Sequence, residues 1–283
     1  MSWRLKVLHH TGLRYSEAVS ASFNEARMTP ADGGGQLLIA HELRASPSAR
    51  IQAYTDYWGT LVEAFDLHEL HTLLDVTASS VVETSQTTPP ATTTTWEELA
   101  DPGVKDRWCE YLRPSTYVDD ATAGVERGPL VAELRALSSP AEAIAAAVGA
   151  VEARMSYISG ATTVFTTAAE AWANGVGVCQ DFTHVTLSLL RALGIPARYV
   201  SGYLYTGSGE VGEQVTGESH AWVEVWDGDW HGLDPTNGRM VGEGHIVVAR
   251  GRDYTDVSPL KGIYAGGSSE AIGVTVTLTR LPR

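Results

Sequence analysis

Cysteine is nearly absent from this 283-residue chain, which contains only Cys109 and Cys179. Two cysteines do not provide the disulfide framework of a small secreted domain. The first ten residues lack the uninterrupted apolar segment of a secretory signal, and no apolar run approaches the length of a membrane-spanning helix. We therefore expect a cytoplasmic protein with reduced thiols and no membrane partner.

Basic residues are also scarce. Lys and Arg number 20 against 34 Asp and Glu, a formal net charge of −14, and the deficit is spread along the chain. Phosphate binding needs concentrated Lys and Arg, so this balance argues against nucleic acid as a partner. The hydrophobic fraction of 43% and charged fraction of 19% are those of a globular protein long enough for one large or two ordinary domains.

The chain divides by composition into three parts. Residues 1–84 are β-rich, with short alternating segments separated by Gly and Pro, which predicts an antiparallel sandwich. Residues 85–100 form a Thr/Pro-rich linker, and residues 101–283 contain a helical region and a catalytic core. The clearest predicted strands of the first part are 36–43, 50–57, 60–67 and 69–77.

Two helix starts are marked by capping signals. Ser139 precedes a proline and stands three residues before Glu142, which predicts a helix with a buried apolar stripe. Thr167 and Glu170 have the same spacing and predict a short helix that ends before the glycine-rich turn at Gly175.

The most informative segment is GVGVCQDFTH, residues 175–184. Apolar residues after the cysteine recur at helical spacing, and Gly194 and Pro196 then end the helix. Cys179 is therefore expected at the helix N-terminus, where unpaired backbone N–H groups favour a thiolate over a thiol. The stripe consists of Phe182, Val185, Leu189, Leu190 and Leu193.

A base and its partner are expected downstream. Residues 221–226 alternate with a period of two, and the following Asp-Gly predicts a hairpin with a three-residue loop at 226–228. In this register Val225 pairs with Asp229, and His220 lies directly opposite Asp234 on the same face. A loop of even length would place the two on opposite faces. His231, on the other face, is the alternative base if the register slips by one.

These residues suggest nucleophilic catalysis. Cys179 is the candidate nucleophile, His220 the general base and acid, and Asp234 the group that fixes the imidazole tautomer. Taken singly, each has an ordinary explanation: a buried thiol, a histidine on a sheet, a turn residue before proline. Their joint occurrence favours catalysis.

Four segments together resemble the bacterial transglutaminase-like superfamily, and within it the cysteine-protease type with a β-rich N-terminal domain. They are GVCQDF (177–182), LRALGIPARYVSGY (190–203), SHAWVEV (219–225) and DPTN (234–237). The resemblance implies Cys179, His220 and Asp234 as catalytic residues. It also implies an α+β fold, with an antiparallel β-sandwich-like domain before a papain/transglutaminase-like core of helices packed on an antiparallel sheet.

The expected reaction is cysteine-dependent acyl transfer on a protein or peptide substrate. A thioester formed on Cys179 passes to water or to a primary amine, and the Cys179 N–H is one oxyanion donor. The second donor is open, with Trp172 and Gln180 near in sequence. No metal or cofactor is required. The alternatives are a specific peptidase or isopeptidase and a non-catalytic binding module on the same fold.

Several other patterns in the sequence do not predict a functional site. GSGEVG at 207–212 matches a dinucleotide fingerprint without the following helix, and is interpreted as a loop that could border the substrate cleft. His68 and His71 lack the spacing of a zinc helix motif and are expected to be exposed. His184 is interpreted as a packing residue, and Cys109 as a structural cysteine.

Overall fold

A computed structural model describes residues 2–86, 93–217 and 219–283. Residues 87–92, part of the predicted Thr/Pro-rich segment, lie outside these ranges. Among the described residues, no helix has the length and apolarity needed to cross a membrane.

The strands are listed here once, in chain order. They are β1 (Ser2–Val19), β2 (Ala21–Ala26), β3 (Gln36–Ser46), β4 (Ile51–Thr55), β5 (Leu61–Leu67), β6 (His71–Ser85), β7 (Ser156–Tyr157), β8 (Val176–Gly177), β9 (Ala197–Leu204), β10 (Gln214–Gly217), β11 (His220–Trp226), β12 (Trp230–Asp234), β13 (Arg239–Met240), β14 (His245–Gly251), β15 (Leu260–Ala265) and β16 (Ser269–Leu281).

The helices are α1 (Trp96–Ala100), α2 (Pro102–Arg107), α3 (Arg127–Arg135), α4 (Pro140–Arg154), α5 (Ala168–Asn174), α6 (Cys179–Ala192) and α7 (Tyr254–Val257). Two short 3-10 turns, Cys109–Tyr111 and Ala121–Ala123, lie between α2 and α3.

The first part of the chain forms two antiparallel sheets, with strand orders β10-β16-β1-β6-β3 and β15-β2-β5-β4. Tyr15 and Leu74 from the first sheet and Phe65 from the second belong to one buried cluster, so the sheets pack face to face. This confirms the predicted sandwich-like architecture.

The end of the chain returns to this sandwich. β16 pairs with β1 from Arg4–Leu281 to Tyr15–Ser269, and β15 pairs with β2. The division predicted from the sequence assigned all of 101–283 to the helical region and core, and so separated β15 and β16 from the strands with which they pair. By hydrogen bonding, therefore, the last two strands belong to the N-terminal sheets.

The second half contains an antiparallel sheet of order β13-β12-β11-β9-β14 with helices packed on it, as predicted. Helix α6 lies at its centre, and every residue from Gln180 to Arg191 is buried. Because α6 packs against β9, β11, α4 and α5, its N-terminus is held rigidly.

Local chemistry explains where α6 begins. Gly175 adopts the left-handed conformation (φ 67°) that ends α5, and Thr167 and Glu170 form the predicted capping box at the other end of that helix. The Asp181 carboxylate accepts the Val178 N–H at 2.8 Å, one turn into α6. Gly194, also left-handed, terminates α6 where the sequence predicted.

The hairpin register differs from the prediction. The loop has three residues, as expected, but they are 227–229, so that Trp226 pairs with Trp230 and Val225 with His231. The direct pairing of His220 with Asp234 was therefore wrong. The cause is an aromatic cluster: the Trp108 ring lies 6.0 Å from Trp226 and 5.0 Å from Trp230, which places both indoles on one face.

A matched pair of glycine substitutions tests the packing of the central sheet. A Cβ on Gly202 would lie 2.0 Å from the Ile246 carbonyl oxygen, whereas one on exposed Gly149 in α4 would meet nothing within 4 Å. We expect Gly202→Ala to lower the free energy of unfolding by about 2 kcal/mol or more. Gly149→Ala should raise it by about 0.5–1 kcal/mol. Denaturant unfolding measures both, and equal effects would contradict this account.

Candidate active site

Cys179 is the first residue of α6 and lies in the wall of a cavity of about 520 Å³. Among the residues that the structure describes, the cavity wall contains no Asp, Glu, Lys or Arg. It consists of Tyr157, Ser159, Val164, Val178, Cys179, Gln180, Tyr199, Ser201, Leu204, Thr206, Val215, Thr216, Gly217, Ser219, His220, Ala221, Tyr254, Val274 and Leu278. Apart from His220, the described part of the wall around the thiol is therefore uncharged and partly apolar.

Both halves of the molecule form this cavity. The start of α6 and strands β9 and β11 provide one side, while Thr216 on β10 and Val274 and Leu278 on β16 provide the other. β10 follows the glycine-rich loop and pairs with β16. No residue of the loop 207–212 itself lines the cavity, in contrast to the interpretation that the loop could border the cleft; only the flanking Thr206 and β10 do.

His220 is the first residue of β11 and reaches the cavity together with Cys179. Its Nε2 lies 2.9 Å from Asp234 Oδ2. In the observed register, continued by one pair, Asp234 lies opposite Trp222 and is a diagonal neighbour of His220. The odd loop keeps both side chains on one face, as predicted, although they are not directly opposed.

The surroundings favour a protonated His220. Its burial alone would lower the pKa, but hydrogen bonds to Asp234 and Cys179 outweigh this and raise the pKa from 6.5 to about 9. Since Nε2 is engaged by the carboxylate, Nδ1 is the ring nitrogen left to interact with the thiol.

Asp234 is completely buried, and five donors hold its carboxylate. Oδ1 accepts the backbone N–H groups of Thr236 and Asn237, and Oδ2 lies within 2.8–3.2 Å of Asn237 Nδ2, His220 Nε2 and His245 Nε2. Burial would raise the Asp234 pKa, but these contacts hold the pKa far below its usual range.

His245 was not singled out by the sequence analysis. It begins β14, and its Nε2 lies 3.2 Å from Asp234 Oδ2. No local pattern marks it, because it lies on a strand that reaches Asp234 only through the fold. A search for every histidine at a strand start beside the Asp234 hairpin would have been needed to find it.

Ligand atoms of His220, Asp234 and His245 lie within 4.8 Å of one another, a spacing that a metal ion also requires. The hydrogen bonds oppose this use. The Gly242 N–H donates to His245 Nδ1 at 3.2 Å, so the imidazole proton is on Nε2, the nitrogen that faces Asp234. A protonated nitrogen has no lone pair to offer a metal.

The two candidate oxyanion side chains have other partners. The Trp172 indole N–H donates to Glu126 at 3.0 Å, and Trp172 does not line the cavity. Gln180 does line it, but its amide donates to the Val164 carbonyl at 3.1 Å. Tyr199 and Tyr254 also border the thiol, and burial followed by the proximity of Cys179 raises the pKa of Tyr199.

His184, His231 and Cys109 lie outside the candidate site. His184 is buried between Tyr117 and Tyr199 as a packing residue, as predicted, and burial lowers its pKa to about 3. His231 lies 3.3 Å from Asp227 on the face away from Asp234. Both cysteines are free; Cys109 is exposed and Cys179 is partly buried.

His68 and His71, whose spacing was compared with a zinc motif, lie in different environments. His68 is exposed as expected, but His71 is buried at the start of β6, with its Nε2 3.4 Å from the Ser22 hydroxyl. The expectation that both are exposed was wrong, because His71 packs edge-on against Tyr15 inside the sandwich.

Fold and site together define an α+β protein, with a sandwich joined to helices on an antiparallel sheet. Family models match residues 5–83, described as a bacterial transglutaminase-like N-terminal region, and residues 129–235, described as the transglutaminase-like superfamily. This chain belongs to the bacterial transglutaminase-like family.

Relatives match along the whole chain. An uncharacterized Mycobacterium leprae protein is 45% identical over 99% of both chains. An uncharacterized Mycobacterium tuberculosis protein is 33% identical over 96% of this chain and 91% of its own. A crystal structure of a "putative cysteine protease" from Cytophaga hutchinsonii has a TM-score of 0.79 and 22% identity, covering 100% of this chain and 92% of that one, and so shares the fold.

The raised pKa of His220 predicts a pH-dependent contribution to stability. A group whose folded pKa lies above its unfolded value stabilises fully below the unfolded pKa and loses that effect as pH rises through the folded pKa. We expect the free energy of unfolding of wild type to exceed that of His220→Gln by up to about 3 kcal/mol below pH ~6.5. This difference should shrink as pH rises through about 9.

Chemical denaturation from pH 5 to pH 10 measures this difference. The control repeats the comparison in an Asp234→Asn background, where most of the pH dependence should disappear together with the carboxylate. A wild-type difference that stays flat across this range would refute the assignment.

Proposed function

We propose that this protein is an acyl-transfer enzyme that uses a Cys179–His220–Asp234 triad. The observation that carries the proposal is His220, which is hydrogen-bonded to a buried carboxylate and shares a cavity with a cysteine at a helix N-terminus. This arrangement supports the roles of nucleophile, base and orienting carboxylate for the three residues.

Before substrate binds, the proton of the Cys179 thiol has moved to His220 Nδ1, and in the first half-reaction the thiolate attacks a peptide or glutamine carboxamide carbonyl. The new oxyanion receives the Cys179 backbone N–H, which α6 leaves without an intrahelical partner. His220 then returns a proton to the departing amine or ammonia. The result is a thioester on Cys179 and a neutral leaving group.

In the second half-reaction the thioester passes to water, which gives hydrolysis, or to a primary amine, which gives an isopeptide bond. The described cavity wall offers no charged side chain other than His220, which favours a substrate whose reacting segment carries no charge, because a buried unpaired charge on the substrate is costly there. A protein or peptide segment with apolar residues beside the reacting carbonyl fits this wall.

Exposed apolar residues at the cavity mouth favour the same substrate class. Tyr157 and Val164 line the cavity and remain about half exposed, and the neighbouring Phe165 is 72% exposed. A specific cysteine peptidase or isopeptidase would use the same surface, and so would a non-catalytic binding module. These readings differ only in what happens after substrate binds.

Alkylation of Cys179 by iodoacetamide, followed by peptide mapping across pH, tests the triad. We expect Cys179 to react well below the pH at which exposed Cys109, the internal control in the same sample, begins to react. His220→Ala should slow Cys179 labelling at pH 6 by at least about tenfold, with Asp234→Asn intermediate. Equal rates in wild type and His220→Ala would remove the chemical basis of the proposal.

Product analysis separates the two outcomes. Neutral apolar peptides containing glutamine are incubated with and without a fluorescent primary amine, and Cys179→Ser serves as the matched control. Amine incorporation indicates transamidation, and cleavage or deamidation alone indicates hydrolysis. Peptide that binds without turnover, equally well to Cys179→Ser, would indicate the binding module.

A further inference from the structure

Two histidines share one oxygen of the Asp234 carboxylate. His220 approaches Oδ2 from β11 at 2.9 Å and His245 approaches it from β14 at 3.2 Å. Only His220 lines the Cys179 cavity, so His245 has no route to substrate or thiol. Its hydrogen bond toward the site is with Asp234, and its ring also lies beside His220 with the two centroids 6.2 Å apart.

Two contacts besides the one to Asp234 fix the orientation of the His245 ring, and a backbone hydrogen bond supports the turn that precedes it. The Gly242 N–H donates to Nδ1, and the His245 backbone N–H donates back to the Gly242 carbonyl at 2.9 Å. The Trp222 indole packs against the imidazole ring with centroids 5.2 Å apart and planes 77° from parallel. With Nδ1 occupied as an acceptor, Nε2 carries the only ring proton and points it at Asp234.

We propose that His245 is a positioning residue, a permanently neutral donor that holds Asp234 Oδ2 and limits how strongly this carboxylate retains the proton on His220. This inference rests on the proposed triad. Burial lowers the His245 pKa, consistent with the neutral form. The charged or titratable groups that act on His245 are Asp234 and His220 on the hairpin and Arg239 on β13.

The physical consequence concerns the return of the proton to the leaving amine. Each donor to the carboxylate delocalises its negative charge and weakens its attraction for the imidazolium. Without His245, Asp234 would hold the His220 proton more tightly, and the pKa of His220 would rise further. His245 thus adjusts the acid strength of His220 without touching the reacting atoms.

Two variants of similar size test this role. His245→Leu removes the donor, and His245→Gln retains an amide N–H at the position of Nε2. The readout is the upper step in the pH profile of Cys179 alkylation, where the imidazolium loses its proton and leaves a free thiolate. We expect this step to move to higher pH by about half a unit or more in His245→Leu and to return toward wild type in His245→Gln.

The variants also separate this role from simple structural support. If His245 only stabilised the fold, both variants would lower the thermal midpoint and the fraction of labelled protein without moving the step. A step unchanged in the folded fraction of His245→Leu, or moved equally in both variants, would overturn the inference.

Failure of the proposed triad has a different signature, because His220→Ala would then also leave the Cys179 profile unchanged. A metal-binding role is distinguished by stoichiometric Zn²⁺. Our assignment requires zinc to affect wild type and His245→Leu equally, so zinc inhibition that disappears only in His245→Leu would overturn it.

Discussion

The buried carboxylate of Asp234 is the constraint on which the site depends. An ionised carboxylate without water is stable only if its lone pairs are fully used, and here five donors from the β11–β12 hairpin, the turn after it and β14 provide this. Satisfying one charge therefore ties three chain segments together. Because two of the donors are imidazoles, the same interactions that stabilise the charge also orient the candidate base.

A second buried carboxylate in the same sheet is also compensated by neighbouring strands. Glu224, nearly fully buried on β11, is held by Arg198 from β9 and Arg250 from β14 at 2.7–2.9 Å. Burial would raise the Glu224 pKa, but the two guanidinium groups keep it lowered. Strand β11 thus carries the candidate base at its first residue and a compensated acidic group at Glu224, and the Glu224–Arg250 ion pair links it to β14.

Features of the fold that depend on interactions between residues close in sequence could be predicted, and features that depend on distant residues could not. The start of α6 at Cys179 was predictable because capping, glycine turns and apolar spacing act within a few residues. The hairpin loop length was predictable for the same reason. Its register was not, since the Trp226–Trp230 pairing depends on Trp108, more than a hundred residues away.

Residues that act across the fold were missed for the same physical reason. His245 reaches Asp234 through the β9–β14 pairing, and β16 reaches β1 across 250 residues of chain. Neither partner carries a local sequence signal. The family resemblance supplied Cys179, His220 and Asp234 because those residues lie in matching motifs, whereas His245 lies beyond the last of them.

The role of the sandwich follows from the electrostatics of the cavity. The attraction between protonated His220 and the charged Asp234 is strong only where water is scarce, and the apolar side chains of Val274 and Leu278 line the cavity that His220 enters. These residues belong to β16, whose hydrogen bonds are with β1 and β10. The sandwich therefore forms part of the wall of the cavity that contains Cys179 and His220. A core separated from the sandwich would lose these two apolar side chains from the surroundings of the candidate base.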